Sequence, residues 1–241
     1  MQPMAAPRTV LLVHGAWHGA WCYAALQAEL DRRGVPSYAV DLPGHGVSLL
    51  PLADLYADGQ FVADTLARID GPVVLVGHSY GGAVIGEAAT RHPANVAHLV
   101  YLTAFCLDEG EALLPYNQSL PPADNPLAGA MRINADGTAT LDPALCEAAF
   151  YAECPPGTAA AALPRLCPQP VATFQQPLTG APWKTIPSTY VRCTLDSAIP
   201  ITSQTIMAER CQHVVTLETD HSPFASRPAE TADLLERLAR S

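Results

Sequence analysis

Basic residues are scarce in this chain. Only 13 lysines and arginines stand against 23 aspartates and glutamates, a formal net charge of -10 over 241 residues. That balance argues against a nucleic-acid binder or a protein held on an anionic bilayer, because no local run of lysine and arginine offsets it. Charged residues are 15% of the chain and hydrophobic residues 49%, a composition that favours a packed globule over extended disorder. Long hydrophobic runs are missing too, and none approaches the length needed to span a bilayer. The first residues, MQPMAAPRTV, carry no basic stretch leading into a long apolar one, so a cytoplasmic protein without a secretory leader is expected. Cysteine occurs seven times, at 22, 106, 146, 154, 167, 193 and 211, without a C-x-x-C pair or zinc-ligand spacing. No metal is expected from that pattern. Most of the seven should be small core residues, and a bridge within the cluster Cys146, Cys154 and Cys167 stays open for an exported protein.

Short apolar runs rich in β-branched residues alternate with helix-like stretches, the pattern of a parallel sheet covered on both faces. Strands are predicted at Thr9 to Val13, Ser37 to Val40, Val73 to Val76, Val96 to Leu102, Ser188 to Cys193 and His213 to Leu217. Helices are predicted over 21 to 33, 54 to 69, 81 to 91, 202 to 211 and 228 to 240. The last opens on Pro228 and sets Leu234, Leu235 and Leu238 on one face. The alternation fails between Cys106 and Trp183, where 12 of the 23 prolines fall. This predicts an α/β core from 1 to 105 and 184 to 241, with a cap inserted over 106 to 183 that contains short helical pieces such as 142 to 152.

One segment carries the chemistry. Val73-Val-Leu-Val-Gly77-His78-Ser79-Tyr80-Gly81-Gly82 runs a buried strand into G-x-S-x-G and then into a helix. A serine at the tip of such a turn takes a strained backbone, and Gly77 and Gly81 relieve the crowding two residues to either side. The turn also sets the Tyr80 N–H at a helix start, where developing negative charge is favoured. The first strand ends in a second loop, His14-Gly15-Ala16-Trp17-His18-Gly19, able to supply the other half of an oxyanion site. Ala16 is the candidate donor, with Trp17 the alternative if the register differs by one. His14 reads as a structural hydrogen-bonding residue and His18 as a pocket residue.

A serine hydroxyl needs a histidine to take its proton and a carboxylate to fix the imidazole tautomer. Among eight histidines, His221 follows the last strand in a loop before the final helix, where a base would reach Ser79. His45 and His78 read as loop and pocket residues, and His92, His98 and His213 as structural or exposed. Asp196, just past the preceding strand, is the candidate acid, with Asp108 its rival; Asp220 is too near along the backbone to turn onto the ring of its neighbour. The order Ser79, Asp196, His221 follows. Trp17, His18, His78, Phe105, Phe150, Tyr151 and Trp183 are the candidate substrate contacts, and Phe174 is a further cap aromatic.

The segments His14-Gly-Ala-Trp-His-Gly-Ala-Trp21, Asp41-Leu-Pro-Gly-His-Gly46, Gly77-His-Ser-Tyr-Gly-Gly82, Cys193-Thr-Leu-Asp-Ser-Ala-Ile-Pro200 and Asp220-His221 resemble the α/β-hydrolase branch that holds plant methylesterases, hydroxynitrile lyases and bacterial esterase relatives. The resemblance spans the core and fades across the cap. It implies a triad of Ser79, Asp196 and His221 and oxyanion amides on Ala16 and Tyr80. Lyases of that branch carry a threonine and a lysine where this chain has Gly15 and Ser222, so hydrolysis is favoured over cyanohydrin cleavage. The expectation is an esterase acting without a cofactor on a small or medium uncharged ester, thioester or lactone. Other chemistry on the same scaffold, including carbon-carbon bond hydrolysis, or a ligand receptor with slow turnover, is the alternative. The expected partner is a small-molecule substrate, with no nucleic acid and no membrane, and a homodimer is left open.

Overall fold

Successive residues of a strand point to opposite faces, and the first strand, β1 (Thr9–Val13), is apolar on both. Val10 and Leu12 join one buried cluster, Leu11 and Val13 the other. The computed structural model describes residues 6–123 and 125–241, so residues 1–5 of the N-terminal reading lie outside it. Around β1 stand β2 (Ser37–Val40), β3 (Val73–Ser79), β4 (Val96–Ala104), β8 (Ser188–Cys193) and β9 (His213–Leu217) in the order β2-β1-β3-β4-β8-β9, every pair parallel. Helices α1 (Ala24–Arg32) and α11 (Pro228–Arg240) bring Leu26, Leu30, Leu234 and Leu235 to one face. Helices α2 (Leu55–Leu66) and α3 (Gly81–Arg91) bring Val62, Leu66, Val84 and Ala88 to the other. This is the doubly wound arrangement that the apolar runs require.

Differences from the predicted elements lie at their ends. Residues Ala20–Tyr23 form a 3-10 turn ahead of α1. Asp54 caps α2 by accepting the Ala57 N–H, which fixes its start one residue late. β3 and β4 run on past the predicted Val76 and Leu102, because Gly77, His78 and Ser79 stay paired with Tyr101, Leu102 and Ala104 through a register shift between His78 and Ser79. Helix α9 (Ile201–Ala208) packs beside β8.

Between β4 and β8 the chain leaves the sheet. It forms α4 (Leu113–Ser119), α5 (Pro126–Ala130), β5 (Met131–Ile133), β6 (Thr138–Leu141), α6 (Pro143–Phe150), α7 (Thr158–Ala162), β7 (Gln169–Pro170) and α8 (Ala172–Gln175). Helix α6 lies within the predicted 142 to 152 and is capped by Asp142. The antiparallel sheet β5-β6-β7 was not foreseen. Its strands have three, four and two residues and one ends in Pro170, so no alternation develops and proline reads as a breaker. The buried Glu87 of α3 accepts the Thr179 N–H at 2.5 Å and so fastens the returning limb of this insertion to the core. All seven cysteines are free thiols. No described helix is long and apolar enough to cross a membrane.

Candidate active site

The turn from β3 into α3 brings backbone so close that side chains have no room. A Cβ on Gly81 would lie 2.6 Å from the Val13 carbonyl oxygen, and one on Gly77 would lie 2.6 Å from the Gly81 carbonyl carbon. Ser79 itself has φ 53°. Among the described residues only two other non-glycine residues have positive φ, Trp17 at 64° and Thr103 at 39°. They lie at or just beyond the carboxyl ends of the adjacent strands β1, β3 and β4; Trp17 and Ser79 line one cavity and Thr103 meets Asp196. Such conformations persist only where the surroundings hold them, and they cluster at functional sites.

His221 stands in the loop between β9 and α10 (Pro223–Ser226). Its Nδ1 lies 2.7 Å from Asp196 Oδ2, with both side chains shut off from solvent. In the neutral ring Nδ1–H donates to the carboxylate and Nε2 keeps its lone pair. That Nε2 is buried without a hydrogen-bond partner among the described residues. Asp196 is held from every side. Its Oδ1 accepts the Ala198 and Ile199 N–H groups at 2.7 and 2.8 Å, and its Oδ2 accepts Thr103 Oγ1–H at 2.5 Å and Gln204 Nε2–H at 3.2 Å. The rival Asp108 pairs with Lys184 at the surface. Asp220 accepts the Glu153 N–H at 2.9 Å and the Ser222 N–H at 3.0 Å, joining the insertion to the His221 loop.

His78 reaches His221 from behind the serine turn. Its Nε2–H donates to the His221 carbonyl at 2.7 Å, and the two rings lie 4.5 Å apart. Burial, then the neighbouring histidines, hold its pKa well below 6.5, so the ring is neutral and its task is to place the His221 backbone. The first loop is fixed in the same manner. His14 Nδ1–H donates to the Gly15 carbonyl at 2.8 Å while its Nε2 accepts the Leu42 N–H at 3.1 Å. Of the two candidate donors there, Trp17 spends its N–H on Gln169 Oε1 at 3.2 Å. The N–H groups of Ala16 and Tyr80 donate to no acceptor among the described residues. Both residues line the cavity beside Ser79.

That cavity, about 110 Å³, is roofed by the insertion through Leu113, Leu127, Met131 and Phe174 and floored by Trp17 and Phe105. Among the described residues no lysine, arginine, aspartate or glutamate lines it; Asn117 and Asn125 are polar side chains at its far end. Five predicted substrate contacts are absent from its wall, each for a physical reason. His18 is clamped between the Ala16 carbonyl at 2.8 Å and Tyr151 Oη at 2.6 Å, and burial lowers its pKa to about 4. Tyr151 is its partner, and Phe150 fills the space between His18, Trp17 and His221. His78 lies behind the turn, and Trp183 donates Nε1–H to the Leu107 carbonyl beside Arg210. Residues the sequence left unmarked replace them. Leu113 of α4, Leu127 of α5, Met131 of β5 and Ile199 ahead of α9 carry no signal beyond being apolar. Among the described residues no cluster of His, Cys, Asp and Glu is placed to hold a metal.

Known proteins resemble this chain in sequence and fold. A protein named as a chloroplastic methylesterase of Arabidopsis thaliana is 30% identical over 248 residues, covering 95% of this chain. The chain spans 56% to 63% of the lengths of the three chloroplastic methylesterase relatives it matches. A pyrethroid hydrolase of Sphingobium wenxiniae is 30% identical over 95% of this chain and 87% of its own length. The crystal structure of a pyrethroid hydrolase superposes with TM-score 0.85 at 29% identity, over 97% of this chain and 98% of the other. Residues 10–234 match the model of the alpha/beta hydrolase family, and with the parallel sheet and the glycine-flanked serine turn already in place, the chain belongs to that family.

Proposed function

We propose that the protein is a serine hydrolase that cleaves carboxylic esters through an acyl-enzyme. Ser79 Oγ attacks the ester carbonyl and His221 Nε2 takes its proton, while Asp196 holds the ring in the tautomer that can accept it. The oxyanion receives hydrogen bonds from the Ala16 and Tyr80 amides, the alcohol leaves with the proton from His221, and water releases the acid by the same steps in reverse. The observation that carries this reading is the state of the His221 ring: one nitrogen is bound to a buried carboxylate, and the other is buried without a partner among the described residues, beside the strained serine turn.

The substrate is a small or medium uncharged ester, thioester or lactone. The absence of charged side chains among the described residues of the cavity wall supports this choice, and relatives named as methylesterases and pyrethroid hydrolases accord with it. The alternative lyase chemistry gains no support at Gly15. A Cβ there would lie 2.9 Å from both His78 Nδ1 and Ser79 Cβ, which leaves no space for the threonine side chain of the lyase branch. Replacing Ser79 by Ala should remove turnover of p-nitrophenyl acyl esters and leave the melting temperature near that of the parent. Full turnover in purified Ser79→Ala would defeat the proposal, and strict preference for charged esters would defeat the substrate class.

A further inference from the structure

The Ala16–Trp17 peptide group belongs to the core, yet most of what holds it comes from the insertion. Trp17 donates its backbone N–H to Gln169 Oε1 at 3.2 Å and its indole Nε1–H to the Ala139 carbonyl at 2.9 Å. Ala139 and Gln169 are cross-strand partners in β6 and β7. One antiparallel pair therefore grips both the backbone and the ring of a single residue. The Trp17 carbonyl accepts the Cys167 N–H at 3.0 Å, also from the insertion. On the other side of the peptide group, the Ala16 carbonyl accepts His18 Nδ1–H, and His18 is braced by Tyr151.

The orientation of the Gln169 amide follows from its neighbours. The atom facing the Trp17 N–H must accept, so it is the oxygen, which also lies 2.9 Å from His45 Nε2, and the amide nitrogen then donates to Thr173 Oγ1 at 3.0 Å. The Thr173 hydroxyl passes its own proton to the Pro170 carbonyl at 2.6 Å. Gln169 has no solvent exposure. Trp17 is bulky, and its φ of 64° is one that such a residue keeps only under restraint.

We propose that Gln169 is a positioning residue for ester hydrolysis. It holds the Ala16–Trp17 peptide so that the preceding amide, that of Ala16, stays free beside Ser79; the insertion thereby completes the oxyanion site as well as roofing the cavity. The inference rests on the proposed role of Ala16. Removing the acceptor obliges the Trp17 N–H to seek another partner, and the loop turns with it. The misplaced Ala16 donor then fails the transition state, while the bound ester, held by apolar contact, is little affected.

Gln169→Leu tests this by steady-state kinetics on a p-nitrophenyl ester and by affinity for a trifluoromethyl ketone, whose adduct needs the oxyanion site. The expected result is a fall in kcat on the order of 10- to 100-fold with KM nearly kept, below the loss on removing a donor outright, and a parallel loss of ketone affinity. Gln169→Glu retains an acceptor oxygen and should recover most of kcat. If Gln169→Leu does not fold, Gln169→Asn, which withdraws the oxygen by one methylene, decides with the same pair of measurements. Parent-like kcat and ketone affinity in the folded variant, or a change confined to KM, would overturn the role of Gln169. Turnover that survives in Ser79→Ala would instead overturn the underlying reading, so the two failures are distinct.

Discussion

Tyr80 donates its phenol proton to Asp58 Oδ2 across 2.7 Å, and neither group meets solvent. Burial raises the Asp58 carboxyl from an ordinary 3.8 to about 7, against the opposing pull of the Tyr80 hydrogen bond. Its second oxygen, Oδ1, has no partner among the described residues. A group whose folded pKa is raised adds stability that is fully present below its unfolded value and is lost as pH rises through the folded value.

The fold should therefore weaken between pH 5 and pH 8 by roughly 2–3 kcal/mol from this carboxyl alone. Asp58→Asn, which cannot ionise, should flatten that part of the profile. Urea unfolding at both pH values measures the difference, and an equal slope in parent and variant would remove Asp58 as its source.

Asp196→Asn should lower kcat by about 10³- to 10⁴-fold, because an amide no longer fixes the His221 tautomer. Thr103→Val leaves the carboxylate but strips one donor from it, a bond to a charged acceptor worth about 1.5–3 kcal/mol. That variant should lose stability and a smaller share of rate. Activity of Asp196→Asn within threefold of the parent would remove Asp196 from the triad.

Gly15→Ala should cost both rate and stability. The added methyl would meet His78 Nδ1 and Ser79 Cβ at 2.9 Å, an overpacking of about 1–3 kcal/mol. Gly129→Ala, in α5 with nothing within 4 Å of the new Cβ, serves as its counterpart and should hold or raise the melting temperature. Equal behaviour of the two would show that the first loop can yield without harm.

The serine turn was legible because its physics is local: a strained residue between two close backbones demands glycine on either side, and Gly77 and Gly81 announce it. The parallel sheet was legible because strands buried on both faces read as unbroken β-branched runs. His18 and His78 were harder. Each is a polar residue beside the site, but a hydrogen bond from distant Tyr151 to His18 Nε2 and one from His78 Nε2–H to His221 commit those nitrogens to structure. The cavity wall was not legible either, since Leu113, Met131 and Ile199 are apolar residues like many others until the insertion folds back over Ser79.

Composition, strand periodicity and one strained turn thus set the architecture, the place of Ser79 and the order of the residues that follow it. Tertiary structure alone decided that Trp17 gives its amide to Gln169 while the Ala16 amide meets no acceptor among the described residues, and that the β6–β7 pair of the insertion grips Trp17. The reason is one of range. Backbone strain and side-chain alternation act over a few residues and leave marks in the sequence, whereas a hydrogen bond between positions 17 and 169 depends on where a loop of the core and a strand of the insertion come to rest.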